Sequence, residues 1–251
     1  MSLQSSLNTL AMALDPVQMA QAAGLTLDPW QSSMVRSQSQ RILLNCSRQS
    51  GKSTIAGVLA DHTAFYDPGA PILLLSPSLR QSQELFRKCL EVYRALDRPV
   101  APETESALRL ELENGSRIIS LPGKEGTVRG ISGVRLLIID EASRVPDELY
   151  MSVRPMLAVS GGRLLLLSSP FGTRGFYWEA YRNRQDWDYY EVPAEECPRI
   201  SPEFLEEEKD TMGEWWFEQE YHCKFLDAQT AAFRSEDIEK IVDREVVQWS
   251  L

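Results

Sequence analysis

Four short apolar runs, "RILLN" (41–45), "PILLLS" (71–76), "VRLLIID" (134–140) and "RLLLLSS" (163–169), constrain this 251-residue chain more than any other feature. Each has the length of a strand and almost no polar alternation, so each must be covered on both faces, as strands of a parallel sheet are. The stretches between them have helical spacing. In "KSTIAGVLADHTAFY" (52–66), Ile55, Leu59, His62, Thr63 and Tyr66 recur at that spacing, and Ser78 suits the N-cap of a helix over 79–96. Such alternation predicts an α/β fold, a mostly parallel twisted sheet with helices on both faces.

Punctuation supplies the remaining elements. "ALRLELENGSRIISL" (107–121) alternates on both sides of Asn114-Gly115, which predicts a small hairpin insertion. "GKEGTVRG" (123–130) is a glycine-rich loop, and Asp147 is expected to cap a helix running to about Val159. A helix near 175–184, a strand over 187–192 and two acidic helices after Ser201 and Gly213 follow. Ser201-Pro202-Glu203 is a well-formed helix start, with an N-cap, a proline at N1 and an acid in the first turn. Residues 1–29 are polar and weakly periodic, an arm with one or two short helices, and the last residues predict a helix and an extended tail.

Composition excludes several classes. No run approaches the roughly 18 apolar residues of a membrane span, and the N-terminus lacks the basic start of a signal peptide. Cys46, Cys89, Cys197 and Cys223 form no C-x-x-C pair and only His62 and His222 accompany them, so reduced cytoplasmic thiols are expected rather than structural zinc. The net charge is −10, but residues 195–220 hold ten acids and two bases, which leaves the rest of the chain at −2. These acids read as a solvated face over the aromatic residues of "EWWFEQEYHC". A DNA-facing basic patch is permitted elsewhere, not demanded.

The chemistry is concentrated at the ends of the apolar runs. "NCSRQSGKST" (45–54) ends like a phosphate-binding loop, with Cys46 where the first glycine of G-x-x-x-x-G-K-[ST] belongs. A strand–loop–helix with Gly51-Lys52-Ser53 turns backbone N–H groups and a helix N-terminus toward a polyphosphate. Lys52 is placed to reach the β- and γ-phosphates and the Ser53 hydroxyl to hold Mg²⁺. "LLIIDEA" (136–142) delivers Asp140 and Glu141 at the C-terminal end of a strand, where open α/β sheets bind ligands. Asp140 suits the Mg²⁺ shell and Glu141 the polarising of an attacking water. In "LLLLSSPFGTRGFYWEAY" (164–181), Ser168, Ser169 and Thr173 stand where hydroxyls can sense a γ-phosphate.

Together these pieces resemble the large terminase subunits of tailed double-stranded DNA bacteriophages. The matching stretches are "DPWQSSMV" (28–35), "SRQSGKST" (47–54), "SPSLRQSQELF" (76–86), "TVRGISGVRLLIIDEASRVPDELY" (127–150) and "SSPFGTRGFYWE" (168–179), in the family's order. The resemblance implies an additional-strand P-loop NTPase core of the RecA-like kind, with C-terminal helices. It implies Mg²⁺-dependent ATP hydrolysis that powers movement of double-stranded viral DNA into a procapsid in the host cytoplasm. Trp30-Gln31 resembles the family's adenine-recognising element. Ser47, Arg48, Gln49, Ser50, Gly51, Lys52, Ser53 and Thr54 form its phosphate loop, with Arg48 near the γ-phosphate. Arg129 resembles an arginine finger given to a neighbouring subunit's site, and Ser168, Ser169 and Thr173 the motif coupling hydrolysis to DNA movement.

The implied partners are double-stranded DNA, the portal protein, the small terminase subunit and further copies in a ring of five, with no membrane. The implied division is an arm (1–29), an ATPase core (30–195) and an acidic helical subdomain with a linker toward a nuclease domain (196–251). Since the RNase H-type nuclease is not expected within these residues, no DNA cleavage is expected of this chain. Two other readings compete. A helicase-type DNA-dependent ATPase would need a second core domain, and a nucleotide-gated assembly module would not need Glu141.

Overall fold

The four apolar runs become the centre of one eight-stranded sheet in the computed structural model, which describes residues 3–122 and 131–227. The strands are β1 (Arg41–Cys46), β2 (Pro71–Ser76), β3 (Pro102–Glu105), β4 (Arg109–Leu112), β5 (Arg117–Pro122), β6 (Leu136–Asp140), β7 (Arg163–Ser168) and β8 (Asp188–Val192). Their order is β3-β4-β5-β2-β6-β7-β1-β8, parallel from β5 to β8 and antiparallel at the β3-β4-β5 edge. Strand β7 separates the phosphate-loop strand β1 from β6, which is the additional-strand arrangement. The hairpin turns at Asn114-Gly115 as expected, and β5 joins it to β2.

Because successive side chains point to opposite faces, every central strand feeds two cores. Ile42, Leu44, Ile72, Leu74, Leu136, Ile138, Leu165 and Leu167 enter one. Leu43, Leu73, Leu75, Leu137, Ile139, Leu164 and Leu166 enter the other. The first core is covered by α2 (Pro16–Ala22), α3 (Pro29–Arg36), α4 (Lys52–Tyr66) and α5 (Leu79–Ala95), and the second by α6 (Asp147–Val153) and α7 (Gly175–Arg182). Helix α1 (Leu3–Leu14) lies against α2, whose Val17, Met19 and Ala20 belong to the first core. A small third cluster of Ala194, Leu205, Phe217 and Tyr221 holds α8 (Pro202–Met212) and α9 (Glu214–Glu220) together.

Helices α4 and α5 approach closely because Gly57 has no side chain. A Cβ there would lie 3.1 Å from the Lys88 carbonyl carbon. The same contact buries Asp61 beside Cys89 and Tyr93, with neither carboxylate oxygen in a hydrogen bond.

Three features depart from the sequence-based expectations. Asp147 does not cap its own helix, since Pro146 occupies the N-cap and the Asp147 carboxylate accepts the Phe176 N–H at 2.8 Å, closing the start of α7. That α-helix ends at Val153 and continues as a 3-10 turn over Arg154–Leu157, where Pro155 lacks the N–H an α-helix needs. Strand β3 is not announced by its sequence, because "PETE" is short, polar and exposed, as an edge strand is. The glycine-rich loop at 123–130 and the expected terminal helix and tail lie outside the described residues.

The burial of Asp61 yields a stability prediction. Desolvation holds its pKa well above the ordinary value, so the folded chain keeps a proton that the unfolded chain releases near pH 4. Its contribution therefore becomes more unfavourable as pH rises from the unfolded toward the folded pKa. Asp61→Asn is expected to gain about 1–3 kcal/mol at pH 8, with the advantage shrinking as pH falls toward 4. Urea unfolding across that range checks it, and a pH-independent difference would show that Asp61 does not titrate with folding.

Candidate nucleotide site

Strands buried on both faces leave only their ends for chemistry, and three ends meet at one level. Asn45 of β1 is in register with Ser168 of β7, and Asp140 of β6 with Leu167 of β7. Loop 47–51 leaves β1 there and turns directly into α4, with Gln49 at φ 59° and Gly51 at φ 89°. At Gly51 the left-handed backbone favours glycine, and a Cβ there would displace the Gln31 amide, whose Nε2 lies 2.7 Å from its position. Cys46, at the first-glycine position, is fully buried and its thiol is pushed up to about 12 by desolvation, so it is a neutral filler of the turn.

The loop backbone sorts into two sets. Ser47 N–H donates to the Val192 carbonyl at 2.9 Å and Arg48 N–H to the Glu220 carbonyl at 3.0 Å. The amides from Gln49 to Ser53 donate to no backbone carbonyl among the described residues, while Thr54 N–H returns to Gly51 O at 3.1 Å. A run of uncommitted amides at the N-terminus of a 15-residue helix is a cradle for an anion of phosphate size.

The charged groups converge beside that cradle. Lys52 Nζ lies 3.4 Å from Glu141 Oε1, and the Ser53 hydroxyl donates to Asp140 Oδ2 at 3.0 Å. Burial lowers the Lys52 pKa, but Glu141 and Asp140 outweigh it and hold the ammonium above its ordinary value. Burial first, then the charge of Glu141, pushes Asp140 up to about 6 against the pull of Lys52 and Ser53. Asp140 and Ser53 are an all-oxygen pair in which a buried carboxylate lacks full charge compensation, which fits a hard divalent cation such as Mg²⁺. Glu141 turns off the strand at φ 50°, a strained conformation for a residue with a side chain, and is partly open to solvent.

Behind the charges, hydroxyls tie the strand ends together. Ser143 Oγ and Ser168 Oγ share a 2.7 Å hydrogen bond, and Ser143 Oγ also donates to the Ser169 carbonyl at 2.9 Å. Tyr177 of α7 donates to Leu44 O at 2.8 Å, and Thr173 Oγ1 to Asp227 at 2.5 Å.

Two participants carry no local signal in the sequence. Glu220, the last residue of α9, is buried and accepts from Ser169 Oγ at 2.9 Å, while Arg48 and Arg144 pair with it at 3.1 and 3.2 Å. Composition assigns it to a solvated acidic face, and instead one carboxylate joins the phosphate loop, the segment after β6 and the end of β7. Arg199 reaches Asp28 and the Ser50 carbonyl. Asp28 and Gln31 also interlock, for the Gln31 amide accepts from Asp28 N–H at 2.9 Å and donates to Ser50 O at 3.2 Å. The Gln31 amide, expected at an adenine, is thus engaged with the loop backbone. The carboxylate of Glu220 and the fork of Arg199 come from segments far away in sequence, so no local motif announces them. Arg129 lies outside the described residues.

A phosphate-sized amide cradle that includes Gly51-Lys52-Ser53, with paired acids at the end of a strand across an inserted neighbour, defines the additional-strand, RecA-like P-loop class. Comparison with known proteins narrows this. A family model described as "Terminase large subunit, T4likevirus-type, N-terminal" matches residues 43–240. The terminase large subunit of Thermus phage G20c is 30% identical over 162 residues, covering 57% of this chain and 33% of its own. That of Thermus virus P23-45 matches over the same extent, so this chain spans about a third of the length of these curated relatives.

Among solved structures, the large terminase ATPase domain of Thermus phage P74-26 superposes with a TM-score of 0.73 at 22% identity, over 82% of this chain and 97% of that one. The large terminase of another thermophilic bacteriophage, in complex with ADP, gives 0.65 at 12% identity, over 80% and 54%. The chain belongs to the terminase large subunit family and corresponds to its N-terminal part. Among the described residues no helix is long and apolar enough to cross a membrane.

Glu220 provides a test of the network. Glu220→Ala removes a buried acceptor but frees Arg48 and Arg144 to reach water, so a cost of about 1–3 kcal/mol is expected. Denaturant midpoints measure it. An unchanged midpoint would mean that the three partners gain nothing from this carboxylate.

Proposed function

We propose that this chain is the ATP-hydrolysing part of a viral DNA-packaging motor, coupling turnover to movement of double-stranded DNA into a procapsid. The supporting observation is the convergence of uncommitted loop amides, Lys52, Ser53, Asp140 and Glu141 at the ends of neighbouring strands. In this reading the amides of Gln49 to Ser53 and the Lys52 ammonium bind the β- and γ-phosphates. Ser53 and Asp140 would hold Mg²⁺, which when bound supplies positive charge to the phosphate oxygens. Glu141 orients the attacking water and accepts its proton, a role compatible with a carboxylate that is paired to Lys52 yet reached by solvent.

Arg129 from a neighbouring subunit would neutralise charge in the transition state, an effect worth on the order of 10³–10⁵ in rate when a finger is supplied in trans. Ser168 and Ser169 would pass the state of the γ-phosphate onward through Ser143 and Glu220, and Thr173 toward α7. Gln31 would shape the loop first and meet the adenine, beside Trp30, with its remaining capacity. Double-stranded DNA, the portal protein, the small terminase subunit and a pentameric ring in the host cytoplasm complete the proposal by family membership. The thermophilic bacteriophage terminase that superposes with ADP is also described in complex with ATP-gamma-S, which supports nucleotide binding by the shared fold.

Turnover measured against protein concentration tests it. Turnover per chain should rise with concentration, and Arg129→Ala should lose that rise. Glu141→Gln should abolish hydrolysis while ATP binding persists. Turnover that survives Glu141→Gln would sink the assigned base, and a flat profile insensitive to Arg129→Ala would favour a self-contained, helicase-type ATPase.

A further inference from the structure

The Ser50–Gly51 peptide is held from outside by two side chains. Ser50 O accepts from Gln31 Nε2 at 3.2 Å and from Arg199 Nη2 at 3.0 Å. Arg199 is itself gripped by Asp28, with Nη1 donating to Oδ1 at 2.9 Å and Nη2 to Oδ2 at 2.8 Å. One Nη2 hydrogen thus faces the carboxylate and the other the carbonyl, so the fork grips Asp28 with both nitrogens while it reaches Ser50. The Asp28 pair also holds the Arg199 pKa above its ordinary value, so the strap keeps its charge.

In a trans peptide the C=O and the next N–H point in opposite directions, and the described residues contain no cis bond. Tying Ser50 O outward therefore turns Gly51 N–H inward, toward the cradle. Without such a tie the peptide could rotate, because Gly51 sits at φ 89° with a glycine's freedom on both sides of φ zero. The glycine that the loop needs is also the residue that would let it lose its shape.

We propose that Arg199, fixed by Asp28 and aided by Gln31, is a positioning residue that orients the Ser50–Gly51 peptide so that Gly51 N–H points at the bound phosphates. This inference rests on the nucleotide-binding reading of the site. Arg199 touches neither the reacting atoms nor Lys52, so it acts through the loop backbone. An amide aimed at a phosphate that is bound before and during reaction contributes to ground-state and transition-state binding alike, and its loss appears in KM rather than kcat.

The test is a titration of a fluorescent ATP analogue with Mg²⁺, with steady-state KM and kcat, on the full chain. Arg199→Ala should raise Kd and KM about tenfold, the scale of one charge-assisted hydrogen bond, with kcat changed by less than about twofold. Arg199→Lys, which can serve Asp28 or Ser50 but not both fully, should fall between. Asp28→Asn weakens the grip while keeping the helix cap and should shift KM in the same direction, so it carries the test if Arg199→Ala fails to fold. Combined with Arg199→Ala it should add little, since both act on one strap. Wild-type Kd and KM in Arg199→Ala, or a fall in kcat with KM unchanged, would overturn the strap and leave the proposed function standing. Absence of nucleotide binding by the parent would overturn both.

Discussion

The structure depends on one constraint: its central strands are buried on both faces. A strand whose successive side chains feed two cores has no free face, and its only polar surface is the end where the sheet stops. Inserting β7 between β1 and β6 then decides what can meet there. It sets the loop that leads to Lys52 and the strand that ends at Asp140 on either side of β7, and Lys52 Nζ still comes within 3.4 Å of Glu141 Oε1. The hydroxyl of Ser168, one residue past the level of Asp140, is positioned to bond Ser143 rather than the charges themselves. Charged groups and hydroxyls thus occupy successive layers at the same end of the sheet.

Much of this is legible in the sequence, for local reasons. Apolar runs of five to seven residues identify β1, β2, β6 and β7. Asn114-Gly115 identifies the hairpin. Lys52, Ser53, Asp140 and Glu141 can be placed at one end of the sheet because each follows a strand within a few residues, and there they come together. Asp147 shows where such reasoning stops. An acid at a helix start reads as a cap, but Pro146 already closes that turn, and the carboxylate serves the N-terminus of α7, which is 29 residues away.

Glu220 and Arg199 are illegible for a related reason. In a segment with ten acids, composition says that most are solvated, and it does not say which one turns inward. Burial of Glu220 becomes possible only because Arg48, Arg144 and Ser169 come together from three separate strand ends. Arg199 and Asp28 are 171 residues apart, and nothing in "DPW" or "CPRI" points to the other.

The same long-range contacts change what a phosphate loop is in this protein. Its shape is commonly ascribed to glycine and to the helix that follows, yet here the loop is stitched from outside at three of its residues. Ser47 is held by Val192, Arg48 by the Glu220 backbone and Ser50 by Arg199. These three anchors lie in the 192–220 segment, which begins at the end of the edge strand β8, and Gln31 of α3 adds a second hold on Ser50. These bonds link that segment to the loop backbone directly. The strand ends supply the charged groups, and the 192–220 segment supplies three of the bonds that hold the loop backbone, so the arrangement at this end of the sheet draws on both parts of the chain.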